Sequence, residues 1–222
     1  MRTQLKISPS IVDNYRVCMT GLYRKTIHDF VDGLDRPFEQ TDAAAKGEAY
    51  HLLLERGGQE FKERARDGGI QYRIPTKSGR PDFIFTEEQA FPALETHDNN
   101  PYKQHEVWHS VLLDIDGVDV KMNMKMDAID DPHKVIWDYK TTGRIPDKET
   151  YLNSVQWPLY LYAKPDFNLF RYRIFRLHDD GCQQYDYLFE RSQAHIDYAM
   201  QWLEHLVDFI QTNHLKHKFQ PR

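Results

Sequence analysis

Residues 105–142 read HEVWHSVLLDIDGVDVKMNMKMDAIDDPHKVIWDYKTT. Two alternating runs, His105–Ile115 and Val118–Asp127, flank Asp116-Gly117, a favoured two-residue hairpin turn. A third run, Val135–Lys140, follows the turn Asp130-Asp131-Pro132-His133. A two-residue turn sets Ile115 opposite Val118, and counting back sets Glu106 opposite Asp127. Directly opposed residues share a face. One face then carries Glu106, Trp108, Ser110 and Leu112 with Lys121, Asn123, Lys125 and Asp127. The other carries Val107, His109, Val111 and Leu113 against Val120, Met122, Met124 and Met126, and reads as core.

The polar face ends in two opposed acids. Like charges facing each other across a sheet are unfavourable unless something compensates them, and a cation would. Two solvated, idle acids at a strand end are the plainer alternative. In the third run Asp138 and Lys140 are two apart and share a face. A four-residue loop at 130–133 places Ile136, Asp138 and Lys140 on the side of Asp127; a loop of three or five residues breaks that parity. With it, Glu106, Asp127, Asp138 and Lys140 converge on one patch. Two carboxylates suit Mg²⁺ or Mn²⁺, and an ammonium beside them can steer a water or steady charge on phosphorus oxygens. These are the ingredients of a metal-dependent phosphodiesterase.

Outward from this stretch the chain reads as mixed α/β. Ser8-Pro9-Ser10 opens a first helix, with a capping box of Ser10 and Asp13, running through Tyr15 and Tyr23 towards Ile27. Thr41-Asp42 caps a second helix, Ala43 to Arg56, ended by Gly57-Gly58. A short charged helix follows from Gln59 to Arg66, and residues 70–104 read as loops with one helix near Glu87–Leu94. Lys148–Ala163 predicts one helix kinked at Pro158. Strands Leu169–Leu177 and Gln183–Glu190 and a long helix, Ser192 to Thr212, close the fold, with a loose basic tail from His214 to Arg222. No linker or internal repeat divides the chain, so residues 1–222 read as a single domain.

Composition excludes several classes. Of 222 residues, 40% are hydrophobic and 28% charged, as in a soluble globular protein. No apolar run approaches a membrane span, and the start lacks a signal-peptide core, so the reading is cytoplasmic with no membrane partner. The only cysteines, Cys18 and Cys182, are far apart, which argues against a disulfide framework, a zinc ribbon or an iron–sulfur cluster. Net charge is −5, which weighs against nucleic-acid binding over the whole surface but leaves room for a local basic stripe. No glycine-rich phosphate loop or Ser/His/Asp order competes.

Five local patterns, in order, resemble the PD-(D/E)xK nuclease superfamily, and within it the RecB-like and phage recombination exonucleases that include RecE and lambda exonuclease. Ile7-Ser8-Pro9-Ser10 with Tyr15 and Cys18 is similar to the opening helix. Lys46-Gly47-Glu48-Ala49-Tyr50-His51-Leu52-Leu53-Leu54-Glu55 is similar to the Gly…His…Leu-Glu helix. Glu106 matches the acid that begins the hairpin. Lys125-Met126-Asp127 with Trp137-Asp138-Tyr139-Lys140-Thr141-Thr142 matches the paired-acid and Asp-x-Lys-Thr motifs, and Gln156-x-x-x-Tyr160 matches the helix that follows.

The resemblance implies a restriction-endonuclease-like α/β core, a central mixed β-sheet flanked by helices. It implies His51, Asp127 and Asp138 as metal ligands, with the backbone carbonyl of Tyr139 as another. Glu106 would be a further ligand or would hold a water, and Lys140 would position the attacking water. Gln156 and Tyr160 would contact the substrate backbone or order the lysine; helix packing is their plainer reading. Lys125 and Arg144, with Arg16, Arg24, Lys25 and Lys121, could track DNA phosphates or simply be solvated. The implied activity is exonucleolytic resection of duplex DNA ends in a phage or prophage setting. A homo-oligomeric ring and a partner single-strand annealing protein are implied with it. A sequence- or structure-specific endonuclease, or a catalytically silent DNA-binding member, are the alternatives.

Overall fold

The computed structural model describes residues 4–35, 41–76, 80–99 and 104–220. In chain order its elements are β1 (Leu5–Ile7), α1 (Pro9–Met19), α2 (Ile27–Asp35), α3 (Asp42–Arg56), β2 (Lys62–Arg64), β3 (Ile70–Ile74) and β4 (Phe83–Thr86). They continue with α4 (Glu87–Asp98), β5 (Gln104–Ile115), β6 (Val118–Asp130), β7 (Val135–Thr142), α5 (Lys148–Leu152), α6 (Gln156–Ala163), β8 (Leu169–His178), β9 (Gly181–Glu190) and α7 (Gln193–Thr212).

β6 is the axis of the main sheet. One of its edges pairs antiparallel with β5, from Ile115↔Val118 at the turn to Gln104↔Ile129. Its other edge is shared. β1 lies parallel against Val120–Met122, and β7 antiparallel against Ala128–Asp130. Between those two stretches no described strand covers this edge of β6. β7 pairs parallel with β8, and β8 antiparallel with β9. The parallel step needs a crossover, which α5 and α6 provide.

Each face of the sheet has its own core. On one, α1, α6 and α7 bring Tyr15, Trp157 and Leu203 against Met122, Met124 and Ile174. On the other, α3 and α4, with a small sheet of β2, β3 and β4, bring Tyr50, Leu53 and Phe85 against Trp137, Tyr139 and Phe175. A central mixed sheet between helical layers is the α/β core that the resemblance implies.

Several elements depart from the sequence reading. The first helix stops at Met19, because Gly21, Tyr23 and Arg24 all adopt positive φ and turn the chain before α2. Its cap is Ser8, with Pro9 in the first turn, while Asp13 accepts Arg16 and the Val155 N–H. That pairing buries Arg16 to 5% exposure and removes it from the basic set that could meet DNA. Gln59–Arg66 holds the strand β2, not a helix, and the stretch read as loops supplies β3 and β4 beside the expected helix, which starts at Glu87 and runs on as α4 to Asp98. The loop between β6 and β7 spans residues 131–134. The expected kinked helix is two helices, broken at 153–155, and Pro158 sits in the first turn of α6, where its missing N–H is not needed. The described part of the tail, to Gln220, is not loose: Phe219 is buried, its carbonyl accepts the Lys6 N–H at 2.7 Å, and Lys218 pairs with Asp35.

Candidate active site

The alternation of the hairpin does not run unbroken to its open end. Val107 packs into the α1/α6/α7 core, yet His105 stacks on His97 of α4, on the other side of the sheet. Across the ladder, Met126 lies in the first core and Ala128 in the second. Residues two apart on a strand should share a face. The register holds on both sides, with Val107↔Met126 and His105↔Ala128, so no residue has been inserted. The phase slips at Glu106 and Asp127, and Glu106 takes a φ of 52° to allow it. A non-glycine residue in that region is strained, and such strain concentrates at functional sites.

The slip replaces the flat patch of acids with a fork. Beyond Ala128↔Trp137, β6 and β7 part. Asp127 stands at the parting, and its carboxylate accepts the Tyr139 N–H at 2.7 Å, spanning the gap where a ladder bond would otherwise lie. Asp138 follows Ile136 on the α1/α6/α7 side, opposite Tyr172, and is almost fully buried. Its Oδ2 lies 2.7 Å from Lys140 Nζ, so the buried carboxylate is paired with the ammonium. From the opposite layer α3 delivers His51, whose ring meets Tyr139 edge-on and reaches the Tyr139 backbone carbonyl.

α3 comes this close because Gly47 lets it. A Cβ on Gly47 would stand 2.6 Å from Thr141 Oγ1, at the end of β7. Gly47, His51 and Glu55 are spaced four apart and line one stripe of the helix. That stripe walls a cleft of about 560 Å³ whose far side is Glu106, Lys125, Tyr139, Lys140 and Thr141. Lys125 bonds Glu106 across the cleft floor.

The electrostatics follow from burial among like charges. Burial pushes the Asp138 carboxyl up to about 6, with Lys140 pulling the other way and Asp127 adding to the rise. Asp127 is raised too, by burial, against Lys140 and the Tyr139 N–H. Burial works against charge on Lys140, but Asp138 and Asp127 outweigh it and hold its pKa above the ordinary lysine range. Burial, then Lys140, pushes the His51 imidazole down to about 4, so it is neutral at pH 7. Burial and the neighbouring Glu106 push Glu55 up to about 7.

The remaining expected residues take other places. The Tyr160 hydroxyl is engaged within the protein. It is buried and donates at 2.9 Å to the Lys125 carbonyl, on the edge of β6 that lacks a strand. Gln156 bonds the same hydroxyl, so the pair holds β6 in place. Arg144 is exposed in the turn after β7, its N–H donating to Thr142 Oγ1, and it does not join the acids. Sequence reasoning passed over Glu55 as a site residue, although its spacing from His51 places both on one helix face.

Among the described residues no three His, Cys, Asp or Glu side chains form a ready-made cation cage. Each acid is instead turned to a group of the chain: Asp138 to Lys140, Glu106 to Lys125, Asp127 to the Tyr139 N–H. The donor set still fits a divalent cation. It offers two neighbouring carboxylates raised by burial, a neutral imidazole and a backbone carbonyl.

Comparison with known proteins shows the family of the chain. A model of the PD-(D/E)XK nuclease superfamily matches residues 6–221. No curated protein matches the chain. Among solved structures, a "Putative exonuclease" from Eubacterium rectale superposes with a TM-score of 0.56 at 15% identity, over 93% of this chain and 80% of that one. SSO0001 gives a TM-score of 0.49 at 13% identity, over 91% and 77%. LHK-Exo in complex with dAMP gives 0.37 at 15%, over 96% and 92%.

Proposed function

Because the chain belongs to the PD-(D/E)XK nuclease superfamily, we propose that it is a Mg²⁺- or Mn²⁺-dependent deoxyribonuclease, and specifically an exonuclease that resects duplex DNA ends. The observation that carries this reading is the fork itself. Asp127 of β6 and Asp138 of β7 come together beside the Lys140 ammonium, and Lys140 and the His51 imidazole, from distant parts of the chain, line one cleft. His51, Asp127, Asp138 and the Tyr139 carbonyl would hold the cation. When bound, such a cation neutralises phosphate charge and makes water more acidic.

The chain's own groups divide the rest of the work. Lys140 stays protonated at working pH, so it serves as a fixed positive charge towards the phosphorus oxygens and as a donor that orients water. It is not a base. Glu55 lines the same cleft and titrates near pH 7, so it can exchange a proton with water there. His51, neutral at that pH, adds no charge that would repel a cation. Resection would leave single strands, the substrate class of an annealing protein.

The test uses linear and covalently closed circular duplex DNA with Mg²⁺ or Mn²⁺. Linear DNA should be degraded from its ends and the circle left intact; cutting of the circle would make the enzyme an endonuclease. Lys140→Ala should slow cleavage by about 100-fold or more. Equal rates in wild type and variant would overturn the assignment. Asp127→Ala and Asp138→Ala should lose cleavage and, by calorimetry, Mn²⁺ binding, while still binding DNA.

A further inference from the structure

The outer face of the β5–β6 hairpin carries two large apolar side chains that no core uses: Trp108 is 70% exposed and Leu112 72%. Cross-strand pairs step along it towards the cleft, Leu112↔Lys121, then Ser110↔Asn123, then Trp108↔Lys125. Lys6 of β1 sits beside Lys121. Lys125 Nζ lies 5.9 Å from the centre of the Trp108 ring and bonds Glu106, so the face runs directly into the catalytic cleft. Among the described residues, Lys6 and Lys121 make no ion pair. The acids on this face sit at its two ends. Asp114 and Asp119 oppose each other at the hairpin tip, and Glu106, with Glu55 across the cleft, marks the other end.

We infer that this face is a track for single-stranded DNA, with Trp108 as the platform on which a base stacks beside the cleft and Lys121 and Lys6 facing phosphates. The inference rests on the nuclease reading and deepens it. Interleaved lysines and an exposed aromatic ring are what a sequence-tolerant single-strand site requires. Within a duplex the neighbouring base pairs cover each base face, so away from a duplex end an indole on an open sheet can stack only on an unpaired base. Charge complementarity favours a polyanion over a second copy of the chain. Two such faces packed about a two-fold axis would bring lysine rows together.

The experiment measures binding of a fluorescently labelled single-stranded oligonucleotide, without divalent ions, alongside quenching of intrinsic indole emission. Trp108→Ala should weaken binding about tenfold, and Trp108→Phe should restore most of it. DNA should quench the exposed indole of the wild type, and that component should vanish in both variants. Lys6→Glu with Lys121→Glu should make the salt dependence shallower. Circular dichroism confirms that each variant is folded. Unchanged single-strand affinity in Trp108→Ala, in an enzyme whose wild type cleaves DNA, would overturn the track and leave the nuclease standing. A wild-type dimer that Trp108→Ala dissociates, with DNA affinity unmoved, would make the face an interface between copies and also overturn it. A wild type that neither binds nor cleaves DNA would remove the nuclease reading and the track together.

Discussion

Asp138 shows what the site asks of a single residue. Its carboxyl is raised from 3.8 to about 6 by burial, so the folded chain keeps a proton that the unfolded chain releases. That contribution is fully present below about pH 4 and is lost as the pH rises through 6. His51 runs the other way: with its pKa lowered from 6.5 to about 4, its contribution is full above pH 6.5 and is lost as the pH falls towards 4. Asp138→Asn removes the first effect and keeps the second, with the His51 pKa no longer held up by the Asp138 charge. Without divalent ions the variant should therefore be more stable than wild type at pH 8, by on the order of 1–3 kcal/mol. The gap should close at pH 4, and denaturant midpoints at the two pH values measure it. Mn²⁺ should raise the thermal midpoint of the wild type and not that of Asp138→Asn. Glu106 makes the same point in backbone terms. Its φ of 52° suits glycine, so Glu106→Gly should raise stability by about 1 kcal/mol while lowering cleavage. A fall in both would mean that its side-chain bond to Lys125 outweighs the backbone strain.

Among the elements, the contact of α3 with β7 decides whether His51 reaches the fork. The hydroxyl of Thr141 stands where a Gly47 side chain would be, at 2.6 Å, so Gly47→Ala must turn the Thr141 side chain or move the helix or the strand end. Activity should fall by at least about tenfold and stability by about 1–3 kcal/mol. Thr141→Ala makes room, so the double variant should recover much of both losses, and a double-mutant cycle on kcat/KM measures that coupling. No coupling would mean that Gly47 acts elsewhere. The sequence reading found this helix, the hairpin and its register, because caps, a two-residue turn and strict alternation are local signals. It missed what depends on tertiary context. Parity counting assumes an unbroken pleat, so it could not see the slip at Glu106 and Asp127, and it reached the right neighbours through the wrong geometry. β2, β3 and β4 are three to five residues long and stand among glycines and prolines, so turn signals hid them. The bond of Tyr160 to the Lys125 carbonyl was not foreseen, because nothing local shows that β6 lacks a strand along that edge.

Across the whole molecule, the two described ends of the chain close on one another. β1 enters the sheet against Val120–Met122, and its Lys6 N–H is satisfied by the carbonyl of Phe219 rather than by another strand. Phe219 is 3% exposed and lies in the α1/α6/α7 core, while Lys218 reaches Asp35 at the end of α2. The basic composition of the tail suggested looseness, yet one buried aromatic ring among charged neighbours is enough to anchor it. Phe219→Ala removes that ring and should cost about 3–5 kcal/mol. For a chain of this size each kcal/mol shifts the melting point by roughly 2–4 °C. The Lys6 amide should lose protection from hydrogen exchange in the variant, and with it the short β1 ladder. The proposed DNA track gives the consequence a functional reading, since Lys6 stands on β1 beside Lys121. Single-strand affinity should weaken in Phe219→Ala more than cleavage at saturating DNA, because the fork lies at the other end of β6, held by β7, α3 and Tyr160. Equal losses of affinity and of saturated rate, below the melting transition, would mean that the two ends of β6 are coupled and that the tail supports the fork as well as the proposed track.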